Sequence, residues 1–166
     1  MIVGDRHQFA VESEFTSQVG RWIFGQFRVW VGGNAIGTYS EEVMDLVCTT
    51  GVLRERVPHA SPAAASLGSQ ELLDRVWSVV YGKGKYNDDE HRVWKPYEWF
   101  ASCQGFENVR SVIANVGSIH RIVWQISGEQ SAREHAVPAE IYEAVASEFI
   151  SWLDRGIEER RKGLEQ

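Results

Sequence analysis

Trp22-Ile23-Phe24-Gly25-Gln26-Phe27-Arg28-Val29-Trp30-Val31 is the stretch that decides the fold. Its aromatic and β-branched residues suit a pleated, half-buried surface, and Gly25 marks a bulge. Gly32-Gly33-Asn34 then gives a tight turn, and Ala35-Ile36 a short return. On the N-terminal side, Phe9, Val11, Ser13 and Phe15 alternate with Gln8, Ala10, Glu12 and Glu14. That period of two reads as a strand from about His7 to Phe15, with Thr16-Ser17-Gln18-Val19-Gly20 as the turn into the next. Two or three antiparallel strands therefore open the chain.

Beyond them the period changes. Thr38 and Glu41 form a capping box, with Ser40 as a rival cap, ahead of a helix over Glu41–Thr50 that places Val43, Leu46 and Val47 on one face. Gly51 is its stop, with continuation through Val52, Leu53 and Arg54 left open. Pro58–Ser66 reads as a loop. Ser69 caps a second helix carrying Leu72, Leu73, Val76, Trp77 and Val80. The polar segment Gly82–His91 reads as a surface loop, followed by an aromatic patch of Trp94, Tyr97, Trp99 and Phe100 around Pro96. Val109–Val116 and Ile119–Ile126 form a hairpin at Gly117-Ser118. Pro138 opens a last helix with Ile141, Val145, Phe149 and Trp152 on its apolar face. Glu140 and Glu143 sit near its positive end, and Arg160, Arg161 and Lys162 near its negative end. Strands cluster in two places with helices between and after them, unlike the βαβα rhythm of a parallel sheet. The expectation is a single α+β domain over residues 1–166: an antiparallel sheet, helices packed mainly on one face, and a C-terminal amphipathic helix.

The totals exclude several functions. At 166 residues with 43% hydrophobic and 11% aromatic content, the chain can bury a core without a metal or disulfide staple. Cys48 and Cys103 are the two cysteines and form no CxxC pair, so they read as reduced, buried thiols. The N-terminus has no signal or transit pattern, and no apolar run approaches the roughly 20 residues that span a bilayer. A soluble, cytoplasmic protein is expected. The net charge of −6 argues against direct nucleic-acid binding and suits a basic protein partner.

No motif brings catalysis. Gly82-Lys83-Gly84-Lys85 lacks the spacing and hydroxyl residue of a phosphate loop. Asp88-Asp89-Glu90-His91 has no second ligand at a supporting spacing, so a solvated acidic loop outweighs a metal site. His7, His59, His91, His120 and His135 are scattered, and no G-x-S-x-G elbow is present. Glu12 and Glu14 share a strand face, which reads as an exposed face before it reads as an acid/base pair. Trp22, Trp30, Trp77, Trp124 and Trp152 fall at core-like positions. Trp94 and Trp99 lie beside the acidic loop, where an exposed ring would anchor a partner, although the core is the commoner place for each. No catalytic residue, cofactor or metal is expected. Tyr86, Asp88, Asp89, Glu90, Trp94 and Trp99 are the candidate partner-binding residues.

Met1-Ile2-Val3-Gly4-Asp5, Phe9-Ala10-Val11-Glu12, the strand Trp22–Val31 with its Gly32-Gly33 turn, Ile36-Gly37, and Ile119-His120-Arg121-Ile122-Val123-Trp124 ahead of a terminal amphipathic helix together resemble the bacterial immunity 42 family. Its members are immunity proteins of polymorphic-toxin and contact-dependent growth inhibition systems. Members often carry Asn-Gly where this chain has Gly32-Gly33, a change a tight turn tolerates. The resemblance covers about the first 37 and the last 50 residues and does not extend over 41–108. It implies a protein without enzymatic activity that neutralises one cognate toxin C-terminal domain by steric occlusion. Many such toxins are nucleases with basic grooves, where an acidic loop would mimic phosphate. Such an interface would take about 800 Å² from this chain. A small cytosolic enzyme and a self-associating structural module are the two alternatives that composition and motifs leave open.

Overall fold

The antiparallel ladder anticipated between the aromatic stretch and the strand before it organises the first part of the chain. The computed structural model describes residues 1–40, 42–82, 87–101 and 103–164, except the side chains of 161, 163 and 164. Strands β1 (Ile2–Asp5), β2 (Phe9–Val19), β3 (Trp22–Val31) and β4 (Asn34–Ile36) form one antiparallel sheet in that order. The chain stays extended through Thr16–Val19 and turns only at Gly20, because β3 keeps pairing with β2 as far as Trp22↔Val19. The bulge falls on β2, between Phe15 and Ser17 and opposite Gly25. Gly32 and Gly33, with φ of 56° and 81°, make the turn into β4; two successive positive φ values match the twist of a tight hairpin.

Alternation along β3 buries Ile23, Phe27, Val29 and Val31 on one face, from which Phe27 meets a long helix, α5 (Ala139–Leu164). Phe9 stacks on Tyr142, Phe15 meets Trp152, and Phe27 meets Phe149, at centroid distances of 4.6, 4.6 and 5.8 Å. Tyr142, Val145, Ala146, Phe149, Leu153 and Ile157 are the buried stripe. It is turned slightly from the face anticipated, so Ile141 and Trp152 are only half-buried. Pro138 ends a strand rather than opening the helix.

The expected helix over Glu41–Thr50 is much shorter: α1 (Leu46–Thr49), capped by Asp45, whose side chain accepts from the Cys48 amide at 3.1 Å. It cannot start earlier because Val43 exchanges two backbone hydrogen bonds with Gly25. Glu41, half of the expected capping box, lies outside the described residues. With so short a helix, Val47 and Cys48 are exposed, and Cys103 is half-buried, so the thiols are not the buried pair expected. A 3₁₀ turn over Gly51–Arg54 follows, in place of a stop at Gly51.

Met1–Glu55 with the chain from Glu140 onward makes one compact unit, and Arg56–Ala139 makes a second. In the second, β5 (Val109–Val116) and β6 (Ile119–Ile126) pair as the anticipated hairpin, and β7 (Arg133–Pro138) adds a third antiparallel strand. The α+β class, the antiparallel pairing and the C-terminal helix are as expected, with the strands distributed over two sheets. Helix α2 (Pro62–Ser66) occupies part of the expected Pro58–Ser66 loop, capped by Ser61. Helix α3 (Ser69–Tyr81) buries Leu72, Leu73 and Val76 against Val112, Ala114 and Val123. Its cap is Gly68 rather than Ser69, with the Glu71 carboxylate accepting from the Gly68 amide at 3.1 Å. Among the described residues, no helix is long and apolar enough to cross a membrane.

Candidate partner-binding surface

Asn87-Asp88-Asp89-Glu90 is a helix start, not a loop. The Asn87 side chain accepts from the Asp89 and Glu90 amides at 3.1 and 3.4 Å, and α4 (Asp88–Trp94) follows from it. Asn at the cap with Glu three residues on is the pattern that satisfies the orphan amides of a first turn. Three carboxylates then sit at the positive end of the helix dipole, where negative charge is favoured. Asp88 and Asp89 are exposed and Glu90 is half-buried.

Helix α4 lies beside α3. Arg75 of α3 pairs with Glu90 at 3.0 Å and holds its guanidinium 5.5 Å from the centre of the Trp94 ring. Ala63 and Leu67 complete an open groove of about 610 Å³ whose other walls are Glu71, Asp74, Arg75 and Ser78 of α3, with Trp94 of α4. Hydrogen bonds from Arg110 and Gln70 hold the Asp74 carboxyl below its ordinary value despite some burial. Apolar Ala63, Leu67 and Trp94 thus share one groove with acidic Glu71 and Asp74, and Arg75 bridges the two helices.

The anticipated residues divide. Asp88, Asp89, Glu90 and Trp94 come together on α4, with Trp94 lining the groove and Glu90 paired with Arg75 of its wall. Tyr86 lies outside the described residues. Trp99 is elsewhere, pinned to β5 through its amide to the Ser111 carbonyl at 3.1 Å. Trp94 is 7% exposed and Trp99 1%, so both belong to the core rather than offering free rings. The aromatic segment forms a 3₁₀ turn (Lys95–Tyr97) that tucks Tyr97 inward, with its hydroxyl donating to the His59 carbonyl at 3.1 Å. Conversely Trp22, expected in a core, is 41% exposed, because it falls on the outward face of β3. Trp30, Trp77 and Trp152 are half-buried and Trp124 is buried.

Glu71, Asp74 and Arg75 were missed. Their signal is the polar face of an amphipathic helix, which marks exposure but not proximity to α4. The Glu12 carboxylate is not the open strand-face group anticipated either. It is buried and accepts from Arg28 Nε and Trp30 Nε1, both at 2.8 Å, with Arg6 at 3.4 Å. Glu98 also stands apart: its side chain is 7% exposed, and burial pushes its carboxyl up to about 7 although Lys95 pairs with it. Among the described residues, no group of three or more His, Cys, Asp or Glu is placed to hold a metal ion.

The family model for immunity protein 42 matches residues 1–152, which includes the middle segment where the resemblance read from the sequence does not reach. The crystal structure of CdiI from Burkholderia dolosa AUO158 shares the fold, with a TM-score of 0.64 at 12% identity, covering 91% of this chain and 99% of that one. No curated protein matches the sequence.

Proposed function

The chain belongs to the immunity protein 42 family, and from that premise we propose that it binds and neutralises one cognate toxin domain made by the same cell or its kin. The family match is the observation that carries this reading. Neutralisation is by steric occlusion of the toxin's active site or substrate surface, without chemistry by this chain. The α3–α4 groove is the contact surface, and its acidic Glu71 and Asp74, together with the exposed Asp88 and Asp89 at the start of α4, suit a basic toxin domain such as a nuclease. Burying about 800 Å² per partner is enough for a specific complex, and rim charges of this kind set association rate and specificity more than affinity. The protein works in the cytoplasm, where the toxin acts.

The test is co-expression with the toxin domain encoded immediately upstream, scored by growth, and calorimetry of the purified pair at two salt concentrations. Tight one-to-one binding that weakens with salt is expected. Tight binding indifferent to salt would keep the immunity role and remove the acidic groove from it. No binding would refute the role itself.

A further inference from the structure

The face of the first sheet turned away from α5 carries a cation that the fold leaves half-used. Glu12 of β2 and Arg28 of β3 are directly opposite, and Trp30 is two residues further along β3, so all three lie on the face away from Phe27 and α5. One Glu12 oxygen accepts from Arg28 Nε and Trp30 Nε1, both at 2.8 Å, and from Arg6 at 3.4 Å. The Arg28 guanidinium lies over the Trp30 and Tyr39 rings at 4.7 and 4.5 Å, and that of Arg6 lies over Trp30 at 4.6 Å. Arg28 is thus anchored through Nε and covered by two rings. Its two terminal nitrogens meet no acceptor among the described residues, and they are not buried, since the side chain keeps 26% exposure.

Two observations point to what that open edge binds. The first is charge: a single carboxylate serves both guanidiniums, so the clamp itself carries an uncompensated positive charge. Glu14 is exposed on the same face but pairs with neither arginine. The second is shape: the terminal nitrogens of a guanidinium form a planar fork that matches the two oxygens of a carboxylate. A fork already fixed and shielded costs a partner little in ordering or desolvation, and interface energy concentrates on Arg, Trp and Tyr. Resting on the immunity reading, we propose that Arg28, with Arg6 beside it, receives the carboxylate of an aspartate or glutamate of the toxin domain, in addition to the α3–α4 contact. A pair of this sign, opposite to that of the acidic groove residues, fixes the register of the complex.

The test is calorimetry of the full-length chain against its cognate toxin domain. Arg28→Lys keeps a charge beside Glu12 and loses the fork, and about tenfold weaker binding is expected. Arg6→Gln leaves Glu12 its two donors at 2.8 Å, so it keeps the fold, and it should weaken binding several-fold. Glu14→Gln removes a neighbouring negative charge and should tighten binding by about two- to fivefold, a gain that misfolding cannot produce. Replacing the toxin's acidic residues by their amides, one at a time, should then find one whose effect vanishes in the Arg28→Lys background. Affinity unchanged in the two arginine variants, binding not tightened in Glu14→Gln, or no acidic residue coupled to Arg28 would overturn the proposal and leave the immunity role standing. Failure of wild type to bind the toxin domain would overturn the role and with it the assignment of the carboxylate to a toxin.

Discussion

Replacing Glu12 tests how the first sheet is held together. One oxygen, Oε2, takes hydrogen bonds from Arg28 Nε, Trp30 Nε1 and Arg6. Arg28 is directly across the ladder from Glu12, and its guanidinium also lies over the Trp30 and Tyr39 rings at 4.7 and 4.5 Å. Glu12→Gln keeps the shape and an acceptor but removes the charge. The Trp30 bond, worth about 1.5–3 kcal/mol to a carboxylate, becomes an ordinary one of about 0.5–1.5 kcal/mol, while Arg28 keeps a charge-assisted bond to the amide oxygen and loses its ion pair. Relief of carboxylate desolvation offsets part of that, so the expected loss is about 1–2 kcal/mol. Glu12→Ala removes the acceptor as well. Breaking a fully buried pair costs about 3–5 kcal/mol, but Arg28 and Arg6 keep side-chain exposures of 26% and 44% and can rehydrate. A loss of about 2–4 kcal/mol is expected, most of it from Trp30 Nε1 and Arg28 Nε. Burial raises the Glu12 carboxyl, but the Arg28 and Trp30 hydrogen bonds and the two arginine charges outweigh it and hold the group below 4.5. Its stabilisation is therefore complete above pH 4.5 and falls away as the pH drops through the lowered value. Urea unfolding at pH 7 and pH 3 measures both effects, and the gap between wild type and Glu12→Gln should narrow at the lower pH. A Glu12→Ala variant within about 0.5 kcal/mol of wild type at pH 7, the range of ordinary surface changes, would refute the clamp.

Three further outcomes follow from single contacts. A Cβ on Gly156 would lie 2.7 Å from Phe15 Cζ, in a ring held between Trp152 and the Arg160 guanidinium. Overpacking of about 1–3 kcal/mol exceeds the ~1 kcal/mol gain in helix propensity, so Gly156→Ala should lower Tm by about 2–4 °C per net kcal/mol, and a raised Tm would contradict the packing. Because the folded chain holds the Glu98 proton up to about pH 7, wild-type stability should fall as pH rises from 4.5 to 7. Glu98→Gln should then gain about 1–3 kcal/mol on wild type between pH 5 and pH 8, and urea unfolding that shows no such gain would remove the group's burial as the cause. Asn87→Ala should cost α4 about 1 kcal/mol, read as faster hydrogen exchange at the Asp89 and Glu90 amides, and unchanged exchange would mean the cap is idle.

Strand β3 was legible because burial imprints a period of two, and β5 and β6 because their apolar runs are set off by the Gly117-Ser118 turn; all three fall where the residues place them. Strand β7 was not, since Val137 is its only fully buried residue and its pairing to β6 is by backbone, which carries no residue code. For the same reason the sequence separates two groups of strands without saying whether they share a ladder. Helix α4 was misread because Asn87-Asp88-Asp89-Glu90 spends its first turn on polar residues and reaches Trp94 only at the end. The polar segment thus marked Asp88, Asp89 and Glu90 as exposed candidates, while their neighbours on α3 were hidden, because contact between helices is set by packing rather than by sequence distance. Trp94 and Trp99 show the converse: irregular backbone around Pro96 gives no period from which burial could be read.

The most direct test of the central claim is the rate at which this chain captures its cognate toxin domain. Stopped-flow association would be measured for wild type and for Asp88→Lys with Asp89→Lys, near 0.01 M salt, where the Debye length is about 30 Å, and near 1 M, where it is about 3 Å. The account predicts that charge reversal slows association by about 10–100-fold at low salt and that the two proteins converge at high salt. Equal rates at low salt would contradict an acidic α3–α4 surface as the face that meets the toxin.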